Sequence, residues 1–118
     1  MDTRLVIAVI DQRVIVAVTA GKGSHHHAGL GDFVVLNRSC SVGHHTALGD
    51  YVSVNPGATI SGVCRIGRDV TIGSGATVPD QISIGAGSII GAGSVVTKAI
   101  PSGVVAYGVP AKVVRPAG

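Results

Sequence analysis

Histidine and cysteine supply the side chains of this sequence that are best suited to acid–base or nucleophilic chemistry. They lie at positions His25, His26, His27, Cys40, His44, His45 and Cys64. A neutral imidazole accepts a proton near pH 7, so a histidine exposed in a turn is a candidate general base. His26 and His44 are 18 residues apart, as are His27 and His45. The elements that hold these residues decide whether that spacing brings them together.

An aliphatic residue recurs at every sixth position over most of the chain. The set is Leu30, Leu36, Val42, Leu48, Val54, Ile60, Ile66, Ile72, Val78, Ile84, Ile90 and Val96. A period of six is neither helical nor a simple strand alternation; it is the hexapeptide signature of a parallel β-helix. Small or β-branched residues four positions later are a second inward set. Glycine often follows the aliphatic residue, and we expect it to supply the turn.

Three hexads would close one triangular coil, so that residues 18 apart stack one strand spacing, about 4.8 Å, from each other. Three inward columns result, starting at Leu30, Leu36 and Val42, and Phe33 should lie over Tyr51 as an external aromatic pair. We predict an all-β fold in a single domain over 1–118. Its parts are an irregular N-terminal cap (1–29), about four regular coils (30–101) and an extended tail (102–118). The prolines of the tail should prevent it from continuing the hexads as sheet.

Composition and charge exclude several classes of function. The chain has 118 residues, 46% of them hydrophobic, and only three aromatic side chains. Nine basic and six acidic residues are scattered without a basic run. The scarcity of aromatics and the absence of a basic run argue against nucleic-acid binding. The apolar stretch 5–20 is interrupted by polar residues at 11–13, which argues against a membrane span or a signal peptide. We therefore predict a cytoplasmic protein.

Three segments of the repeat region are distinctive. They read VGHHTALGDYVSVNPGATISG at 42–62, then IGRDVTIGSGATV and GAGSIIGAGSVVTKAIPSGVVAYGVPAKVV. All three resemble the hexapeptide-repeat acyltransferases. The resemblance covers roughly residues 30–114 and points to the branch that contains sialic acid O-acetyltransferases and bacterial UDP-sugar N-acetyltransferases. It implies a left-handed parallel β-helix, a homotrimer with active sites between neighbouring subunits, and acetyl-CoA as co-substrate.

The same resemblance assigns the catalytic residues. His44 matches the family's general base, and His45 follows it where relatives usually have an acidic residue or asparagine. Relatives often have a second histidine nine residues further on, where this chain has Ser53. His44 would take the proton from a hydroxyl or amine as it attacks the thioester.

The resemblance also implies where the coenzyme lies. In the family the pantetheine arm follows a groove along the last coils, and the tail contacts the nucleotide end. The matching positions are Gly91, Ala92, Lys98 and Lys112. Small side chains let an extended ligand approach the strands, and a lysine suits a phosphate as a point charge.

Other interpretations of the same residues remain open. The stacked histidines could form a metal site as in the trimeric γ-class carbonic anhydrases, or a polar cluster that tunes His44. Those enzymes carry a His-x-x-x-x-His pair that is absent from this sequence, and we expect no metal. The chain could also be a non-catalytic trimeric scaffold in which His44 and the lysines are ordinary exposed residues. Cys40 and Cys64 are 24 apart, on different faces of the triangle, and we predict free thiols.

Overall fold

The computed structural model describes residues 3–10, 13–20 and 29–118, and these ranges contain only strands and turns. Two strands come first, β1 (Thr3–Ile10) and β2 (Arg13–Ala20). The short strands of the coils are β3 (Gly29–Leu30), β4 (Val34–Leu36), β5 (Ser41–Val42), β6 (Ala47–Leu48), β7 (Ser53–Val54), β8 (Thr59–Ile60), β9 (Arg65–Ile66), β10 (Thr71–Ile72), β11 (Thr77–Val78), β12 (Ser83–Ile84) and β13 (Ile89–Ile90). The last two strands are β14 (Val104–Gly108) and β15 (Ala111–Pro116). Across the described ranges, no helix meets the length and apolarity that a membrane span requires.

The short strands form the three walls of a triangular prism. One wall contains β3, β6, β9 and β12, a second contains β4, β7, β10 and β13, and the third contains β5, β8 and β11. From β3 to β10, each strand pairs in parallel with the strand 18 residues further along the chain, as Leu48 does with Ile66. The three predicted columns are therefore confirmed, and the architecture matches the left-handed parallel β-helix that the resemblance implies.

The interior of the prism is filled by the two predicted inward positions of each hexad. Ile60, Ile72 and Ile90 are fully buried, as are the smaller Val52 and Val70 at the second position. Burying a side chain of this size contributes roughly 1.5–3 kcal/mol. Because the column repeats without aromatics, a narrow core of Ile, Val, Leu and Ala stabilises the whole solenoid.

The turns differ from the prediction in the role of glycine. From Leu30 to Ile90, the left-handed backbone conformation falls three residues after each aliphatic position, not one. It is adopted by Phe33, Ser39, His45, Tyr51, Gly57, Val63, Asp69, Gly75, Gln81, Gly87 and Gly93. The glycines directly after the aliphatic residues serve close packing instead. A Cβ at Gly49 would lie 2.6 Å from the backbone nitrogen of Arg68 in the next coil.

Three columns of turns form the edges of the prism. The aromatic corner comprises 32–33, 50–51, 68–69 and 86–87, and the glycine corner comprises 38–39, 56–57, 74–75 and 92–93. The histidine corner comprises 44–45, 62–63 and 80–81. At the aromatic corner, Phe33 and Tyr51 stack with ring centroids 5.3 Å apart, which confirms the predicted external pair.

The N-terminal strands cover one exposed sheet edge. β1 and β2 pair in antiparallel fashion, and β2 pairs with β4 with Val16 opposite Leu36. Within the described residues 3–10 and 13–20, the predicted cap consists of two antiparallel strands that extend one wall of the prism. These strands give the first coil's unpaired backbone groups on that wall a partner.

The C-terminal segment corrects the expectation that the prolines keep it out of the sheet. β14 pairs in parallel with β13, and β15 pairs with β14 in antiparallel fashion. Pro101 and Pro110 lie outside the strands, and Pro116 ends the edge strand, so none removes a hydrogen bond from a central strand. The last coil is also shorter, because Ile84 pairs with Ile100, 16 residues away instead of 18.

Candidate active site

The histidine pair lies on the outside of the prism, in the turn that follows β5. Both side chains are exposed, and their ring centroids are 5.1 Å apart in an edge-on arrangement with an interplanar angle of 78°. His45 has a φ of 58°, in the left-handed region. The turn thus holds two adjacent imidazoles outward, as the sequence predicts.

The turn of the next coil forms the support beneath His44. The Val63 N–H donates a hydrogen bond of 3.0 Å to the His44 carbonyl. Gly62 is buried under the histidine: a Cβ at this position would lie 3.2 Å from the His44 carbonyl oxygen and 3.4 Å from Cε1 of its ring. The imidazole of His44 therefore packs close to a backbone that carries no side chain.

Asp80 holds this support from the coil that follows it. Its Oδ1 accepts a hydrogen bond of 2.9 Å from the Gly62 N–H. The Gln81 N–H donates to the Gly62 carbonyl at 3.1 Å. Both polar backbone groups of Gly62 are thus bonded to one turn, and three successive turns of the histidine corner are connected.

Buried side chains secure the same corner from inside. The Thr46 hydroxyl donates to the Ser61 carbonyl at 2.7 Å and accepts from the Cys64 N–H at 3.1 Å. The Cys64 thiol donates to the Pro79 carbonyl at 3.1 Å. Side chains of small volume thus connect the turn that carries the histidines to the next coil, and that coil to the one after it.

Both cysteines are free thiols, as predicted. Cys64 is fully buried, and Cys40 is partly buried. Burial raises the pKa of the Cys40 thiol, and a hydrogen bond to its own backbone opposes this to a smaller extent. The environment of Cys40 therefore disfavours a reactive thiolate, and burial makes the Cys64 thiol inaccessible to a reagent.

The residues assigned to coenzyme binding differ in exposure. Gly91 lies under the C-terminal hairpin, since a Cβ there would be 2.6 Å from Cβ of Tyr107. Ala92 is exposed in the next position of the glycine corner. Lys112 is exposed on β15, directly opposite Tyr107 in the register of β14 and β15. Gly91, Ala92 and Lys112 thus lie at one end of the molecule.

Lys98 lies where the register of the coils changes. It is exposed in a bend between Val95, which pairs with Thr77, and Ile100, which pairs with Ile84. The 18-residue register therefore shortens to 16 across the segment that carries Lys98. The structure does not bring His44 and His45 together with Gly91, Ala92 and Lys112 within one chain.

Sequence reasoning did not identify Thr46, Gly62 or Asp80 as part of the site. The signal that could have found two of them is the 18-residue step itself, since positions 44, 62 and 80 occupy equivalent turns. Within residues 29–118 and the two N-terminal strands, no group of three or more His, Cys or Asp side chains could hold a metal ion. His26 and His27, which the 18-residue spacing would stack on His44 and His45, lie outside the described residues, as does His25.

Comparisons with known proteins agree with this architecture. The family model for the bacterial transferase hexapeptide (six repeats) matches residues 64–98. No curated protein matches the chain. Among solved structures, WeeI from Acinetobacter baumannii is 36% identical over 73% of this chain, with a TM-score of 0.70.

Two further structures carry enzyme names. A perosamine N-acetyltransferase from Caulobacter crescentus, crystallised with CoA and GDP-perosamine, is 36% identical over 71% of this chain, with a TM-score of 0.70. The serine acetyltransferase of Neisseria gonorrhoeae is 33% identical over 78%, with a TM-score of 0.73. This chain spans 44%, 40% and 39% of these three proteins. The hexad register, the repeat match and the structural likeness together place the chain in the hexapeptide-repeat acyltransferase family.

Proposed function

We propose that this chain is an acetyltransferase that moves an acetyl group from acetyl-CoA to a hydroxyl or amine of a small, sugar-like acceptor. The observation that carries the proposal is the 36% identity, over 71% of the chain, to a perosamine N-acetyltransferase that was crystallised with CoA. The chain is also similar to a serine acetyltransferase, whose name implies a substrate with a hydroxyl group. We therefore include hydroxyl groups as well as amines among the proposed acceptors.

His44 is the proposed general base, with His45 as its catalytic neighbour. Acetyl-CoA supplies a thioester whose carbonyl carbon the acceptor attacks. As the new C–O or C–N bond forms, His44 takes the acceptor's proton; the C–S bond breaks, and the proton passes to the departing sulfur. The exposed position of His44 supports this role, because both the acceptor and the thioester can reach its ring.

Gly91, Ala92, Lys98 and Lys112 are the proposed contacts for the coenzyme. The exposed ammonium groups of the two lysines fit phosphate oxygens. Space for an extended arm is present beside Ala92, since a Cβ added at Gly93 would meet no atom within 4 Å. Gly91 would act indirectly, by letting Tyr107 pack down beside this space.

A homotrimer with active sites between subunits is the proposed assembly. The histidine pair and the group around Lys112 lie on different edges of one chain, so a neighbouring subunit is the natural source of the missing half of each site. Exposed apolar side chains support an interface: Phe33 is 59% exposed and Val109 is 74% exposed. A stable monomer in sedimentation at micromolar concentration would contradict the trimer.

The two free thiols support the proposed cytoplasmic location, because disulfides are rare in that compartment.

A trimeric scaffold without catalysis is the second candidate. It is favoured by one observation: His44, Lys98 and Lys112 are all exposed, as ordinary surface residues would be. A panel of sugar amines, sugar alcohols and serine, incubated with acetyl-CoA and the protein, separates the two candidates. The acetyltransferase predicts release of free CoA together with an acetylated product in mass spectra. Coenzyme binding without any product across the panel would favour the scaffold.

A further inference from the structure

We infer that Asp80 is a positioning residue for His44 and that it acts through the backbone of Gly62. The inference deepens the proposed function, because it rests on His44 being the general base. Asp80 itself touches neither of the reacting groups; its effect passes through one intervening turn.

The first step of the argument is that His44 depends on Gly62 for its position. The histidine is exposed, so few side chains restrain its ring. Its carbonyl is bonded to the Val63 N–H at 3.0 Å, and its Cε1 lies near the place where a Gly62 Cβ would be. A shift of the Gly62–Val63 turn would therefore move both the backbone and the ring of His44.

The second step is that Asp80 holds Gly62. The hydrogen bond from the Gly62 N–H to Oδ1 of Asp80 is 2.9 Å long and has a charged acceptor, which makes it stronger than a neutral one. Gly62 is buried, so its N–H would lose this partner without ready replacement by water. Small displacements of a catalytic group have large effects on rate, since reaction requires aligned atoms.

The chain contains a matched control for this interaction. At the aromatic corner, Oδ1 of Asp50 accepts a hydrogen bond of 2.8 Å from the Asp32 N–H. Both bonds run between equivalent turns, 18 residues apart. The Asp50 bond lies on an edge that carries no histidine in the described coils. Removal of either carboxylate should therefore disturb the solenoid similarly, while only Asp80 affects His44.

Steady-state acetyl transfer by the full chain tests the inference with Asp80→Ala, Asp80→Asn and Asp50→Ala. We expect Asp80→Ala to lower kcat about tenfold with an unchanged KM for acetyl-CoA, since the turn shifts but the coenzyme contacts remain. Asp80→Asn keeps an oxygen acceptor for the Gly62 N–H and should stay within about threefold of the parent. Asp50→Ala should show the parental kcat and a loss of thermal stability similar to that of Asp80→Ala.

Gly62→Ala provides a second route if Asp80→Ala does not fold. Its new methyl group would press on the His44 carbonyl, and we expect a similar fall in kcat with an unchanged KM. Equal kcat values for Asp80→Ala and Asp50→Ala would overturn the inference, as would a Gly62→Ala variant with parental kcat.

Imidazole NMR of the same proteins separates this inference from the proposed function. The inference predicts that the His44 ring resonances shift in Asp80→Ala and stay at their parental positions in Asp50→Ala. A parent that neither binds acetyl-CoA nor releases CoA would refute the proposed function, and with it a catalytic role for Asp80. A parent that is active, with unshifted His44 resonances in Asp80→Ala, would refute the positioning role alone.

Discussion

The histidine corner and the glycine corner are built by the same six-residue repeat and yet carry different side chains at the same backbone positions. The left-handed position of the glycine corner holds Ser39, Gly57, Gly75 and Gly93. At the histidine corner, the same position holds His45, Val63 and Gln81. The repeat therefore dictates the backbone of a turn and leaves its two outward side chains free to serve chemistry, at a cost in strain where the residue is not glycine.

The two corners also differ in the space around them. Beside the histidine corner, side chains of Thr46, Cys64 and Asp80 bond to the backbone of neighbouring coils. Asn37 and Ser94 make comparable bonds beside the glycine corner, but a Cβ added there at Gly75 or Gly93 would meet nothing within 4 Å. Both edges are thus tied to neighbouring coils, and the glycine corner in addition leaves open space along the strands. This contrast fits a base on the first edge and an extended ligand along the second.

Removal of the proposed base should have the largest effect. His44→Ala is expected to lower acetyl transfer by about 10²–10⁴-fold, because a general base typically contributes that factor. Acetyl-CoA affinity and trimer stability should stay close to the parent, since the side chain is exposed. His45→Ala is the matched control, in the adjacent turn position, and should cost less. Parental turnover in both variants would show that the histidine corner does not supply the base.

A core substitution tests the aliphatic column that supports both corners. Ile72 is fully buried in the wall that joins β10 to β7 and β13. Ile72→Ala should lower the free energy of unfolding by roughly 2–4 kcal/mol, because the stacked column cannot collapse around the cavity. Urea denaturation measures the change. A loss below about 0.5 kcal/mol would mean that the column does not carry the stability of the coils.

The left-handed positions of the two corners should differ in backbone strain, and substitutions at Val63 and Gly75 test this difference. Val63 is β-branched, has a φ of 59° and is 50% exposed. Val63→Gly should raise stability by about 0.5–1 kcal/mol, since relief of strain exceeds the added entropy of the unfolded chain. The reverse change, Gly75→Val, should lower stability by about 1–2 kcal/mol. Thermal unfolding of both variants checks the pair, and a stabilised Gly75→Val would contradict the assigned turn geometry.

The smallest expected effect is the pH dependence that Cys40 contributes. Burial raises the pKa of its thiol in the folded state above the ordinary value of 9.0. The unfolded chain therefore loses this proton first, and the associated stability is present below pH 9 and declines as the pH rises through the folded-state pKa. Urea unfolding between pH 8 and pH 10.5 should show a steeper decline for the parent than for Cys40→Ser. Identical slopes would contradict a buried Cys40 thiol.

The inward columns could be predicted from sequence because burial forces an aliphatic residue at each repeat of the coil. The left-handed positions could not, since His45, Val63 and Gln81 give no local sign of that conformation. The shortened last coil could not be predicted either. Ile100 fits the second inward position of an unbroken hexad pattern, but in the structure it pairs with Ile84, 16 residues away instead of 18. The role of Asp80 depends on a bond to the backbone of another coil, which composition and spacing do not reveal.

Calorimetric titration of the full chain with acetyl-CoA tests the central claim most directly. The account predicts saturable binding at one site per subunit, weakened when Lys98 and Lys112 are both replaced by alanine and unchanged in His44→Ala. Heats no larger than those of dilution, from a protein that sediments as a folded trimer, would contradict acetyl transfer as the function of this chain.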